Sequence, residues 1–94
     1  MKVLFEWDTG NDTKSYSKHG VSCLEAESVF QDVHRLDFND VLPSKVENRF
    51  ITIGRSNRPR VLLLAWTLRK NLVRIVSSRP ASQKERELYN EKNK

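Results

Sequence analysis

RFITIGRSNRPRVLLLAWTLRKNLVRIVSSR, residues Arg49 to Arg79, decides the fold. It contains three runs rich in aliphatic and β-branched residues, Arg49–Arg55, Arg60–Leu68 and Asn71–Arg79, separated by SNRP and by RK. Gaps this short suit antiparallel hairpins, whereas parallel neighbours need a crossover of a dozen or more residues. The middle run is apolar on both faces, so it belongs inside a sheet. In the last run, period-2 alternation puts Leu72, Arg74, Val76 and Ser78 on one face and Val73, Ile75, Ser77 and Arg79 on the other. Arg74 and Arg79 therefore cannot both project from the flat middle of one face. Either a bulge re-aims one of them, or Arg79, just before Pro80, swings around the rim.

The flanking sequence supplies the rest of the scaffold. Upstream, KVLFEW (Lys2 to Trp7) reads as a short strand closed by Asp8 to Asn11, and a short helix is expected from about Asp12 to Lys18. Gly20 permits the positive φ that ends one helix and turns the chain into the next. Ser22 and Glu25 have the spacing of a capping box, which starts a helix at about Cys23. Cys23, Ala26 and Phe30, with Val29 alongside, form its apolar stripe, and Glu25, Glu27 and Ser28 fall on the other side. HRLDF (His34 to Phe38) is a weaker strand, followed by a loop containing Pro43. At the other end Ser82 and Glu85 form a second capping box, opening a helix that runs to Glu91 with Leu88 and Tyr89 as its small apolar face. The order is β-α-α-β-β-β-β-α. Residues 1–94 thus read as a single α+β domain, a mainly antiparallel sheet with helices on one face.

Composition narrows the function. The chain has 94 residues, enough for one modest core, and its longest apolar run, VLLLAW (Val61 to Trp66), falls far short of the roughly 20 residues that cross a bilayer. The N-terminal MKVLFEW meets Glu6 too soon for a signal peptide, so a cytoplasmic protein without a membrane partner is expected. The lone Cys23 cannot form an internal disulfide, and no Cys or His cluster has metal-ligand spacing; neither a metal nor a cofactor is expected. The net charge of +5 hides a division. Residues 1–48 hold five Lys or Arg against nine Asp or Glu, and residues 49–94 hold twelve against three. A surface that merely kept the protein soluble would intersperse these charges; their segregation, with arginine dominant, points to a polyanion held through paired hydrogen bonds to phosphate.

Several stretches also carry a resemblance. FEWD (Phe5 to Asp8), KHGVS (Lys18 to Ser22) with the EAESVFQD that follows closely, RFITIGRS (Arg49 to Ser56) and RIVSSRPASQKERELY (Arg74 to Tyr89) together resemble the BrnT family, toxins of type II toxin-antitoxin modules. The resemblance spans nearly the whole chain in order. It implies a RelE-like fold and an endoribonuclease that inhibits growth by cutting RNA. It also implies neutralisation by a BrnA-type antitoxin whose ribbon-helix-helix part binds DNA, in a 2:2 complex, so that this chain meets DNA only through its partner.

The chemistry can be stated independently of the family. Cutting RNA without a metal requires a base for the ribose 2′-OH, cations for the charge gathering on phosphorus, and an acid for the departing 5′ oxygen. Arginine suits only the second role. His19, at the corner between the two expected helices, is the best acid or base, with Lys18, Glu6, Asp8 and Glu47 as other candidates and His34 as a weaker one. A histidine there can equally serve as a helix-end donor. Arg49, Arg74 and Arg79 are assigned to phosphate and transition-state binding, and Lys18, Arg55, Arg69 and Trp7 to holding RNA. Trp7 and Trp66 are of the size that fills a small core, with base stacking as their other use. Cys23 paired with His19 as a nucleophile is a further arrangement, although the thiol falls on the apolar stripe. A module that binds nucleic acid or a partner without catalysis, acting through a DNA-binding subunit, would need the same basic surface.

Overall fold

The computed structural model describes residues 5–6, 20–40 and 49–93. In chain order these form β1 (Phe5–Glu6), α1 (Cys23–Ser28) continuing into a 3-10 turn (Val29–Gln31), β2 (Leu36–Asp40), β3 (Arg49–Arg55), β4 (Val61–Arg69), β5 (Leu72–Pro80) and α2 (Gln83–Lys92). The expected helix over Asp12–Lys18 and the loop at Pro43 lie outside the described residues. The sheet order is β1-β5-β4-β3-β2, with every pairing antiparallel except the parallel contact of β1 with β5. β4, the run apolar on both faces, lies between β3 and β5 as its composition requires. Its hairpin to β5 turns on Lys70 and Asn71, with φ of 52° and 65°. Two left-handed residues in a two-residue loop match the right-handed twist of the strands they join.

One side of the sheet carries the main core. Val21, Ala26, Val29 and Phe30 pack on Leu62, Leu64, Val73 and Ile75, with Phe5 and Trp66 against them. Phe30 meets Phe5 and Trp66 edge-on, both at 5.3 Å between centroids, and Trp66 stacks on Phe50 at 4.6 Å. Trp66 Nε1 donates to Thr52 Oγ1, which itself donates to Asp37. Trp66 is thus a half-buried residue packed against the core, its ring in contact with Phe30 and Phe50.

The two ends of the sheet hold the helices by different means. Ser22 Oγ accepts from Glu25 N–H, as a capping box requires, but the Glu25 side chain does not return to Ser22. It is 3% exposed and turns into the β3–β4 loop, so the expectation that it lies on the polar side of its helix is corrected. At α2 the box is complete: Ser82 Oγ accepts from Glu85 N–H and Glu85 accepts from Ser82 N–H.

At Gly54 the 3-10 turn packs closely on the sheet. A Cβ there would lie 2.8 Å from Val29 Cγ1 and 3.0 Å from Arg35 Cβ, and both are parts of side chains that cannot swing away. Gly54→Ala should therefore lower unfolding free energy by about 1–3 kcal/mol through overpacking. Urea unfolding followed by far-ultraviolet circular dichroism measures this; a stability within 0.5 kcal/mol of the parent would contradict the close approach.

Candidate nucleic-acid interface

The alternation in β5 is resolved by a bulge. Ala65 pairs with Ser77 but Trp66 pairs with Ile75, leaving Val76 as an extra residue in β5. From Ser77 onward the strand is shifted by one. Ser78 joins the core side, where it is 1% exposed, and Arg79, opposite Leu63, joins the face that carries Arg74, opposite Thr67. That face is the one turned away from the core cluster, because Leu62 and Leu64 belong to the cluster and Leu63, Ala65 and Thr67 alternate with them.

Register then arranges the arginines. One row of Cα partners crosses all five strands, Asp40, Arg49, Thr67, Arg74 and Glu6 in turn. Arg49 and Arg74 flank Thr67 in it. The row containing Ile53, Leu63 and Arg79 lies four residues earlier in β4, about 13 Å away at about 3.3 Å per residue. Between these rows lie Ile51, Ala65 and Ser77, two of them small, so the arginines stand above a low floor. Arg49 Nε and Thr67 Oγ1, adjacent in their row, are buried and have no hydrogen-bond partner among the described residues. A buried polar group left unsatisfied costs about 1–3 kcal/mol, a cost that an incoming oxygen on Arg49 would relieve.

Arg79 is held rather than loose. Its Nη1 and Nη2 each donate to a Glu85 carboxylate oxygen at 2.9 Å, and Nη1 also reaches Pro80 O. This pair ties the start of α2 to the far face while α1 packs on the core side, so the expectation of helices on one face is corrected. The cause is the bulge, which carries Arg79 across the sheet. The hydrogen bonds from Arg79 hold the Glu85 carboxyl below its ordinary value, and the same contact raises Arg79.

The other candidates are dispersed. Arg55 is exposed at the end of β3, beside a shallow cleft of about 290 Å³ lined by Ser28, Gln31, Asp32, Ser56 and Asn57 as well. Asp32 anchors that end by accepting from Arg55 N–H, Tyr89 hydroxyl and His34 N–H. Burial opposes its charge, but these donors together hold its carboxyl below the ordinary value. Burial, and then the bond to Asp32, push Tyr89 up to about 12. His34 is exposed on the turn before β2, at the end of the sheet away from Arg49. Arg69 ends β4, paired with Leu72. Trp7, Lys18 and His19 lie outside the described residues, as do Asp8 and Glu47. Cys23, half-buried and in no disulfide, occupies the first position of α1. Among the described residues no group of His, Cys, Asp and Glu could hold a metal ion, and no helix is long and apolar enough to cross a membrane.

Sequence reasoning missed Arg60. Counted only among the twelve Lys or Arg of residues 49–94, it is committed to the protein: Nε and Nη2 donate to the two Glu25 oxygens at 2.6 Å, and Nη2 also donates to Gly20 O at 2.8 Å. Ser56 Oγ adds a third donor to Glu25. Only the burial of Glu25 in the fold identifies this partnership; a Glu three residues after an N-cap reads as a cap. The Arg60 contact, against the opposing effect of burial, lowers the Glu25 carboxyl from its ordinary value. Gly20 leads through Val21 into the Ser22 cap, so this bond fixes the turn that enters α1.

Comparisons with known proteins agree with this architecture. A family model described as the ribonuclease toxin BrnT of type II toxin-antitoxin systems matches residues 7–85. Among solved structures, the 1.1 Å crystal structure of the Brucella abortus ribonuclease toxin BrnT superposes with a TM-score of 0.59 at 22% identity, covering 87% of this chain and 100% of that one. A search of curated proteins finds no match.

The Glu25–Arg60 pair has a measurable consequence. Because the folded state lowers the Glu25 carboxyl below 4.5, the pair adds stability above that value, and the contribution is lost as pH falls through the lowered one. Glu25→Gln should cost about 2 kcal/mol at pH 7, less than a fully buried pair because Arg60 is partly exposed. The gap between variant and parent should narrow on acidification below pH 4.5. Urea midpoints measured from pH 7 down to pH 3 test this, and a gap independent of pH would show that the charge on Glu25 contributes nothing.

Proposed function

The chain belongs to the BrnT family of ribonuclease toxins of type II toxin-antitoxin systems, and on that premise we propose that it cuts RNA, without a metal ion, on the sheet face bearing Arg49, Arg74 and Arg79. The observation that carries the reading is the bulge at Val76, which puts Arg74 and Arg79 on one face of β5 despite their odd separation. The basic balance of residues 49–94 and Arg49 Nε, which has no hydrogen-bond partner among the described residues, support it further.

In this reading the phosphate backbone lies across the floor of Ile51, Ala65 and Ser77, gripped from both rows. The 2′-OH attacks the adjacent phosphorus; its proton goes to a base, the bond to O2′ forms, the bond to O5′ breaks, and the 5′ oxygen takes a proton. The products are a 2′,3′-cyclic phosphate and a free 5′-OH. Arginines that meet the phosphoryl oxygens stabilise the extra negative charge where it develops. His19, which lies outside the described residues, is assigned the role of acid or base. Lys18, Arg55, Arg69 and Trp7 extend the contact along the strand. Tyr89, held near 12 against Asp32, is a poor proton donor and is left out of the chemistry.

A ribonuclease of this kind needs restraint inside its host. The cationic face suits an acidic or amphipathic antitoxin segment, by charge complementarity and by steering of the encounter. We assign that partner to the BrnA type, a ribbon-helix-helix dimer carrying two toxin chains and providing the DNA contact.

Purified protein incubated with labelled RNA in EDTA should yield fragments ending in 2′,3′-cyclic phosphate. RNA affinity should fall with salt at a log-log slope of about −0.7 per phosphate contact. Arg49→Ala and Arg74→Ala should each slow cleavage about 10²-fold, and His19→Ala by about 10²- to 10⁴-fold, with folding retained. Salt-sensitive binding without fragments would overturn the catalytic reading and leave a binding module. Full activity of all three variants would move the site elsewhere.

A further inference from the structure

The Glu85 carboxylate occupies one edge of the Arg79 guanidinium and leaves another. A guanidinium carries five N–H donors. The inner protons of Nη1 and Nη2 point at the two Glu85 oxygens, and the outer Nη1 proton is directed to Pro80 O. Nε–H and the outer Nη2 proton have no bond among the described residues, and the side chain is 38% exposed. These two protons are parallel, the spacing that fits two oxygens of a phosphate. Arg79 is therefore a fork with one side clamped and the other open. Glu85 is itself fixed: its Oε1 accepts from Ser82 N–H at 2.7 Å, and its own N–H is bonded to Ser82 Oγ. The first turn of α2 thus sets the plane of a guanidinium that belongs to the sheet.

We infer that Glu85 is a positioning residue, holding the Arg79 guanidinium end-on so that its Nε edge is presented to an RNA phosphate on the far sheet face. The inference rests on the nuclease reading of that face. A flexible arginine would lose side-chain freedom on meeting substrate; here the loss is incurred in folding, so the donors stand in place when the transition state forms. The competing role is a blocking one, in which the carboxylate occupies Arg79 as a phosphate would and must be displaced. The two roles predict opposite signs for the same substitution.

The test is a cycle of Arg79→Ala, Glu85→Gln and the double variant, with kcat and KM measured on labelled RNA in EDTA. Gln at this position keeps an acceptor for Ser82 N–H, since Glu and Gln both complete capping boxes, so α2 should survive; circular dichroism and Tm check that it does. Glu85→Gln should lower kcat by about 10- to 10²-fold with little change in KM, because a mis-set donor costs most in the transition state. In the Arg79→Ala background the same change should have no further effect. Glu85→Gln with unchanged kcat, with faster cleavage, or with an equal loss in both backgrounds would overturn the inference, the second outcome pointing to the blocking role. An Arg79→Ala variant as active as the parent would instead remove Arg79 from the nuclease reading itself.

Discussion

The bidentate contact of Arg60 with Glu25 is the interaction on which the placement of α1 depends. A helix of six residues has too few backbone bonds to stand alone. It is held by a carboxylate that reaches across to the β3–β4 loop and finds Arg60 and Ser56 there. That loop is sequence-distant from α1, 31 to 35 residues along the chain, so one side chain joins the first helix to the sheet hairpin. The remaining Arg60 bond, to Gly20 O, extends the same anchor to the turn before the helix. With α1 fixed, Val29 and Phe30 are pressed on Leu62, Leu64 and Trp66, and Gly54 is obliged to stay small.

A second set of bonds performs the same service at the opposite end of the chain. Tyr89 hydroxyl meets Asp32 at 2.6 Å, and Asn93 Nδ2 reaches His34 O. The middle and end of α2 are thereby fastened to the segment between the 3-10 turn and β2. Its start is fastened to β5 by Arg79. These contacts explain why so short an apolar face, Leu88 and Tyr89, suffices to keep the helix on the protein.

The strands were legible because their signal is local. Alternation and two short gaps give β3, β4 and β5 to within a residue, and the capping pair Ser82–Glu85 gives the start of α2. The first capping pair misled in half its reading, since the same Ser-x-x-Glu spacing can serve a cap or release its carboxylate to a distant cation, and only the three-dimensional neighbour decides. Arg60 was hidden for the same reason: nothing adjacent in sequence distinguishes an arginine bound to a buried carboxylate from one facing solvent. The face of Arg79 was undetermined because alternation alone cannot say where an extra residue is accommodated. For the candidate site, the charge division pointed to residues 49–94, and sheet register, which sequence does not encode locally, sets three of the arginines there on one face.

The bulge at Val76 has a bearing on how relatives of this protein are to be compared. Arg74 and Arg79 are five positions apart, and in a regular strand an odd interval means opposite faces. Removing Val76 would leave every other β5 partner where it is, with the two arginines four apart in an unbroken ladder. A relative lacking one residue between its two arginines would thus preserve the shared face, whereas one with the interval of five and no bulge would split it. Insertions and deletions in this strand, more than substitutions, are the changes that would reorganise the surface.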